Sequence, residues 1–144
     1  MGDEAAPIPA NHVDHISIAV PDLDAAAAFW RETFGCEVSA PIDVPGEDMR
    51  IAYVQLANIK IELMQPASEA SAAGKFLARN PAGGLHHICV ATPDAGAAAK
   101  AAADAGLRVL GDGAPKPGHH GHELFFLHPK DCMGTLIEVE QDAD

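Results

Sequence analysis

At 144 residues, 48% hydrophobic and 21% charged, the chain has the length and composition of one globular domain whose core can fold unaided, which excludes disorder, collagen and coiled coil. The net charge of −12, with nine Lys and Arg scattered along the chain, excludes nucleic acid, because phosphate neutralisation needs a clustered basic face. The apolar runs near 16–20, 51–57 and 88–91 fall well short of a membrane span, and the acidic start MGDEAAPIPA lacks a basic, hydrophobic leader, so a cytoplasmic protein is expected. A myristoylation signal is excluded by Ala6, where Ser or Thr would be needed.

The first element is a strand over 14–20, in which Ile16, Ile18 and Val20 share one face and His15, Ser17 and Ala19 the other. Pro21 ends it and Asp22 caps a helix that runs to about Phe34. Leu23, Ala26, Ala27, Trp30 and Phe34 recur at helical spacing, so the helix covers one side of a sheet with Trp30 as a core anchor, and Gly35 terminates it. A short strand near Cys36–Ala40, a Pro/Gly loop through Pro41–Gly46, and strands over 50–56 and 59–65 follow, the last two joined by a turn at Ala57-Asn58. A connecting helix is expected over 68–80, then the flexible Ala82-Gly83-Gly84.

The chain then repeats itself. His15-Ile-Ser-Ile-Ala-Val-Pro-Asp22 recurs as His87-Ile-Cys-Val-Ala-Thr-Pro-Asp94, and the order of elements recurs with it: a strand over 85–91, an Ala-rich helix from Asp94 to about Ala105 stopped by Gly106, a short strand over 107–110, a Gly/Pro/His loop, and strands over 123–128 and 134–140. The class is therefore α+β, a strand-helix-strand-strand-strand unit used twice. Module one covers about 12–66 and module two about 85–141, within a single domain 1–144, because one copy alone leaves an open sheet with its functional face unfilled.

Each copy ends on a strand with an inward-facing Glu. Ile59, Ile61 and Leu63 pack one way while Lys60, Glu62 and Met64 face the other, and Ile137 and Val139 oppose Glu138 and Glu140 in the same manner. Small neighbours, Ser17 and Ala19 in one copy, Cys89 and Ala91 in the other, leave a cavity beside each His. A lone strand His is ordinarily a hydrogen-bonded core residue and a lone strand Glu a solvated charge. Matched types at matched positions in two related halves instead point to one divalent ion held by His15, Glu62, His87 and Glu138, with zinc, cobalt, nickel, manganese or iron all suited to such donors and open positions left for substrate oxygens.

The remaining histidines carry less. His86 is expected on the face opposite His87, packed or capped; His12 is expected to be exposed and His128 structural. His119, His120 and His122 sit in the loop Pro117-Gly-His-His-Gly-His122, which reads equally as a mobile cover over substrate or as a second cluster of metal donors. Cys36, Cys89 and Cys132 are odd in number and form no Cys-x-x-Cys pair, which fits packed thiols in a reducing compartment.

These features together resemble the vicinal oxygen chelate superfamily, which includes glyoxalases, bleomycin-resistance proteins, extradiol dioxygenases and methylmalonyl-CoA epimerases. The similarity to the epimerases spans nearly the whole chain: Asp14-His-Ile-Ser-Ile-Ala-Val-Pro-Asp-Leu23, Lys60-Ile-Glu-Leu-Met-Gln-Pro66, Lys75-Phe-Leu77 followed by Gly84-Leu-His-His-Ile88, and Phe126-Leu-His-Pro-Lys-Asp131 with Gly134-Thr-Leu-Ile-Glu138. The resemblance implies two βαβββ modules forming one eight-stranded, partly open barrel-like sheet around the metal site, cobalt as the favoured ion, an acyl-CoA substrate, no membrane partner and a homodimer. It implies epimerisation through an enolate stabilised by bidentate chelation of the substrate.

Two acid/base groups must then flank the substrate carbon, or one must act with a water. Glu138 is the candidate for one. Some members carry a Glu in the strand that starts here at Arg50, where this chain has Ile51, so Glu47 in the preceding loop is the substitute, with a solvated loop acid as the other reading. Lys75, Arg79, Lys116 and Lys130 are the available donors to CoA phosphates, and Gly118 through His120 to Gly121 could present backbone amides to the acyl group or pantetheine. A glyoxalase I-like isomerase acting on a glutathione hemithioacetal shares the same four ligands. A non-haem iron dioxygenase would use two His and one carboxylate in a longer chain, and a metal-free binding or resistance protein is the non-enzyme alternative.

Overall fold

The computed structural model describes residues 6–44, 46–118 and 120–142. The described residues make an α+β fold with three α-helices and nine strands among them, in the order β1 (His12–Ala19), α1 (Leu23–Phe34), β2 (Glu37–Val38), β3 (Ile42–Val44), β4 (Met49–Gln55), β5 (Lys60–Pro66), α2 (Ala72–Arg79), β6 (Gly84–Thr92), α3 (Ala95–Asp104), β7 (Lys116–Pro117), β8 (Glu123–Leu127) and β9 (Ile137–Gln141). The chain divides into two compact units, His15–His87 and Met1–Asp14 with Ile88–Asp144, so β1 and β6 each contribute to both.

In the unit His15–His87 the strand order is β2-β4-β5-β1-β6, with β3 on β4. Strand β1 pairs parallel with β5, Ser17 opposite Glu62, and β5 pairs antiparallel with β4, Tyr53 opposite Glu62. Alternation sends Ala52, Val54, Ile61 and Leu63 toward α1, where they pack with Val20 and Leu23 and with the partly buried Ile18, Ala26 and Trp30. Leu23 and Leu63 are fully buried, each contributing roughly 1.5–3 kcal/mol over the exposed side chain. Ile51 and Met64 point to the other face with Val44, forming a smaller apolar cluster beside Tyr53.

In the other unit the order is β1-β6-β9-β8-β7, with β6 and β9 parallel and Cys89 opposite Glu138. Helix α3 buries only alanines, Ala95, Ala98, Ala99 and Ala102, against Phe125, Leu127, Cys132 and Val139. Alanine buries little area, but it has the highest helix propensity, so this helix forms on intrinsic preference and lies close to the sheet.

The repeat extends to the caps. Asp22 accepts from Ala25 N–H and Asp94 from Ala97 N–H, both at 3.0 Å, with nearly identical backbone angles. Beyond each Glu, a Gln reaches the first helical N–H of its own copy: Gln65 accepts from Leu23 at 2.7 Å and Gln141 from Ala95 at 3.1 Å. The parallel strand thereby satisfies a helix-terminal donor that has no partner within the helix.

Four expectations change. The sheet is open, in keeping with the partly open sheet expected, but the described residues form nine strands where eight were expected, and in neither unit does their order close on itself. The loop 41–46 contains β3, paired antiparallel with Met49–Ile51, because its β-branched residues find a partner strand across the turn that follows. The segment 107–110 makes only a single bridge, Val109 to Leu127, since the Arg108 N–H that would extend a ladder is taken at 2.9 Å by the Asp131 carboxylate; β7 arises farther on, paired with β8. Helix α2 begins at Ala72, later than expected, where Ser71 caps it by accepting from Gly74 N–H at 3.0 Å.

Candidate active site

Three of the four expected ligands meet within the unit His15–His87. His15 on β1, Glu62 on β5 and His87 on β6 are exposed by only 4, 7 and 4%. The His15 and His87 rings lie edge-on with centroids 5.7 Å apart, and His15 Nε2 is 3.9 Å from Glu62 Oε1. Burying two imidazoles and a carboxyl group is costly unless polar partners replace water. For Glu62 and His87 those partners are present. The Ser17 hydroxyl donates to Glu62 Oε1 at 2.7 Å and lies 2.9 Å from His87 Nε2, while the Tyr53 hydroxyl donates to Glu62 Oε2 at 3.2 Å.

His86 does not point away as strand alternation predicts. Its Nδ1 is 2.8 Å from His87 Nδ1, and its ring packs edge-on against Phe76 of α2 at 5.3 Å. The ring of His87 is thus approached at both nitrogens. Two imidazoles and a carboxyl group, each buried and oriented by a hydrogen bond or a ring contact, are the donor set of a mid-series divalent cation, and these residues fit one.

Glu138 lies in the other unit, buried on β9 between Cys89 of β6 and Phe126 of β8. Ligand atoms of Cys89, Glu138 and Glu140 come within 4.8 Å of one another. His120 Nε2 is 2.7 Å from Glu140 Oε2, which ties the His-rich loop to β9. In that loop Gly118 N–H donates to His122 O and Gly121 N–H to Gly118 O, so the two amides expected to meet an acyl group are engaged within the loop itself. His119 lies outside the described residues.

The other candidates are peripheral. Glu47 is exposed in the turn between β3 and β4, its N–H donating to Val44 O. Lys75 and Arg79 are exposed on α2, Lys130 is exposed in a 3-10 turn, and Lys116 pairs with Asp112 at 2.6 Å. His12 is exposed as expected, and His128 is structural, its Nδ1 accepting from Lys130 N–H at 3.0 Å. Cys89 and Cys132 are buried thiols, and burial pushes Cys132 above the usual thiol range. Sequence reasoning missed Ser17 and Tyr53 as supports of Glu62. The strand pattern marks Ser17 only by its small size, and nothing local marks Tyr53, which meets Glu62 through antiparallel register.

Residues 14–126 match the family model of the glyoxalase/bleomycin resistance protein/dioxygenase superfamily. The chain is 51% identical over 129 residues to the ethylmalonyl-CoA/methylmalonyl-CoA epimerase of Cereibacter sphaeroides, covering 90% of this chain and 96% of that protein. It is 41% identical over 129 residues to the mitochondrial methylmalonyl-CoA epimerase of Homo sapiens, covering 90% of this chain and 73% of the relative. Among solved structures, a variant of the Streptomyces coelicolor methylmalonyl-CoA epimerase in complex with 2-nitronate-propionyl-CoA superposes with a TM-score of 0.85 at 39% identity, covering 94% of this chain and 100% of that one. A family match across most of the chain, joined to relatives of this identity along nearly its full length, means that the chain belongs to the methylmalonyl-CoA epimerases of the glyoxalase/bleomycin resistance protein/dioxygenase superfamily and is an isomerase.

Proposed function

We propose that the protein interconverts the two epimers of methylmalonyl-CoA by removing the alpha proton and returning it to the opposite face. The observation that carries this reading is the buried gathering of His15, Glu62 and His87, supported at both oxygens of Glu62, in a chain 51% identical to an epimerase of that substrate. A divalent ion, cobalt in preference to zinc, nickel, manganese or iron, would supply positive charge against the enolate that forms when the proton leaves. His15, Glu62 and His87 are the ligands we assign. Glu138 is assigned as the fourth by the repeat, since it stands opposite Cys89 as Glu62 stands opposite Ser17.

The alpha carbon lies between a thioester and a carboxylate, and its proton is removable once the resulting charge is delocalised onto the thioester oxygen and positive charge offsets both that oxygen and the carboxylate. We assign Glu138 as the group that takes or returns the proton on one face. Glu47, exposed in its turn, is the group we assign to the other. The phosphates of CoA would draw on Lys75, Lys116 and Lys130, with the loop Gly118–Gly121 and His120 beside the acyl portion. A homodimer and a cytoplasmic location belong to the same reading, the latter supported by three cysteines that form no disulfide.

The test is proton NMR of methylmalonyl-CoA in deuterated water with the cobalt-loaded protein. Deuterium should enter the alpha position, Glu138→Gln should abolish the exchange, and Glu47→Gln should slow interconversion of the epimers. No exchange with cobalt present would refute the reading, and turnover of methylglyoxal with glutathione instead would assign the glyoxalase chemistry. Ethylmalonyl-CoA run in parallel measures the breadth suggested by the name of the Cereibacter sphaeroides relative.

A further inference from the structure

Ser17 is fully buried in the middle of β1, and its hydroxyl contacts two proposed ligands at once, Glu62 at 2.7 Å and His87 Nε2 at 2.9 Å. A carboxylate only accepts, so the single hydroxyl proton goes to Glu62 and the oxygen lone pairs face the imidazole. With Tyr53 on the second carboxyl oxygen and His86 on the second ring nitrogen, the side chains form one run, Tyr53–Glu62–Ser17–His87–His86, across β4, β5, β1 and β6. Ser17 is its middle member. Its hydroxyl lies within hydrogen-bond distance of both side chains, whereas His15, the other neighbour of the pair, stands 3.9 Å from Glu62 Oε1 and meets His87 edge-on.

The duplication supplies an internal comparison. The position matching Ser17 in the second copy is Cys89, opposite Glu138 as Ser17 is opposite Glu62. A thiol is a weak donor and a weak acceptor, whereas a hydroxyl serves well in both roles. The first copy therefore carries a chemically stronger link at this position than the second.

We propose that Ser17 is a positioning residue that ties Glu62 to His87 and holds both in ligating orientation before an ion arrives. The inference rests on the reading of Glu62 and His87 as metal ligands. A side chain locked by a hydrogen bond loses less freedom on ligation, and removing such an outer-shell partner ordinarily weakens metal binding by about 10–100-fold. Ser17 keeps its bond to Glu62 whichever nitrogen of His87 takes the ion. Ligation at Nε2 would need the single imidazole proton on Nδ1, where His86 Nδ1 stands 2.8 Å away to accept it, and would replace only the Ser17–His87 contact.

The experiment is calorimetric titration of the metal-free full chain with Co2+ for the unsubstituted protein, Ser17→Ala, Glu62→Ala and the double variant, with the visible absorption of bound Co2+ recorded alongside. Ser17→Ala removes one buried oxygen and leaves the β1–β5 pairing in place, and a circular dichroism melt of each metal-free variant verifies folding. The expected result is Co2+ affinity at least about 10-fold weaker in Ser17→Ala with an altered absorption band. In the Glu62→Ala background the same change should cost less than threefold, because one of the two groups the hydroxyl joins is already gone. An effect below threefold in the first background, the same factor in both, or tighter binding in Ser17→Ala would overturn the proposal, the last by showing that the hydroxyl competes with the ion. If the unsubstituted protein binds no Co2+, the metal-site reading falls and this inference with it; if it binds and only the Ser17 effect is missing, this inference alone falls.

Discussion

Gly83→Ala tests the packing that places His87. Gly83 lies between α2 and β6 with φ +92, and its N–H donates to Asn80 O at 2.8 Å. A Cβ at this position would stand 2.5 Å from the Ala19 carbonyl oxygen and 3.4 Å from Pro21 Cδ, and the nearer group is backbone of β1 that cannot rotate away. Two costs add. The left-handed conformation costs an L-residue about 1–2 kcal/mol. Forcing extra volume into a filled site costs roughly 1–3 kcal/mol more. Gly35→Ala isolates the first cost, because Gly35 ends α1 at φ 67 and ψ 22 with nothing within 4 Å of the place its Cβ would take. Urea unfolding followed by the fluorescence of Trp30, the single tryptophan, should place Gly83→Ala below Gly35→Ala by about 1–3 kcal/mol at unchanged m-value. Equal losses in the two variants would refute the argument that β6 is seated by direct backbone approach at Gly83.

Two further outcomes follow from titration and burial. Arg108 grips Asp131 at both carboxyl oxygens, at 3.0 and 2.9 Å, and this pairing holds the Asp131 carboxyl far below the usual carboxylate range. A depressed folded-state pKa adds stability above the unfolded value of about 3.9 and loses it as pH falls through the folded value. The difference in stability between the unsubstituted protein and Asp131→Asn should therefore be constant above about pH 5 and shrink below about pH 4, measured by urea midpoints; a difference independent of pH down to about pH 2 would refute the pairing. Toward a thiol reagent such as Ellman's, half-buried Cys36 should react first, with Cys89 and Cys132 reacting only as the fold opens, and three equal rates would contradict their burial.

Much of the fold was legible because its determinants are local. The Pro-Asp pairs at 21–22 and 93–94 end a strand and cap a helix within four residues, and the alternation of Ile16, Ile18 and Val20 with His15, Ser17 and Ala19 assigns faces without knowledge of the partner strand. Strand β3 was hidden because Pro41, Pro45 and Gly46 bracket it with loop signals, and three residues are too few for a periodicity to register. The 107–110 segment failed in the opposite way. Its composition suits a strand, but a carboxylate 23 residues farther on takes the backbone donor that a ladder would need.

By itself the sequence determined the duplication, the strand faces, the helix caps and the identity of the candidate ligands, since each follows from residues a few positions apart or from two copies of one pattern. Tertiary structure decided which side chains support those ligands. Ser17 meets Glu62 across 45 residues and His87 across 70, and His86 turns back onto its neighbour against Phe76. Such contacts depend on the register of strands distant in the chain. A one-residue slip would turn Glu62 to the opposite face, so its partners are settled only when β1, β4, β5 and β6 have paired.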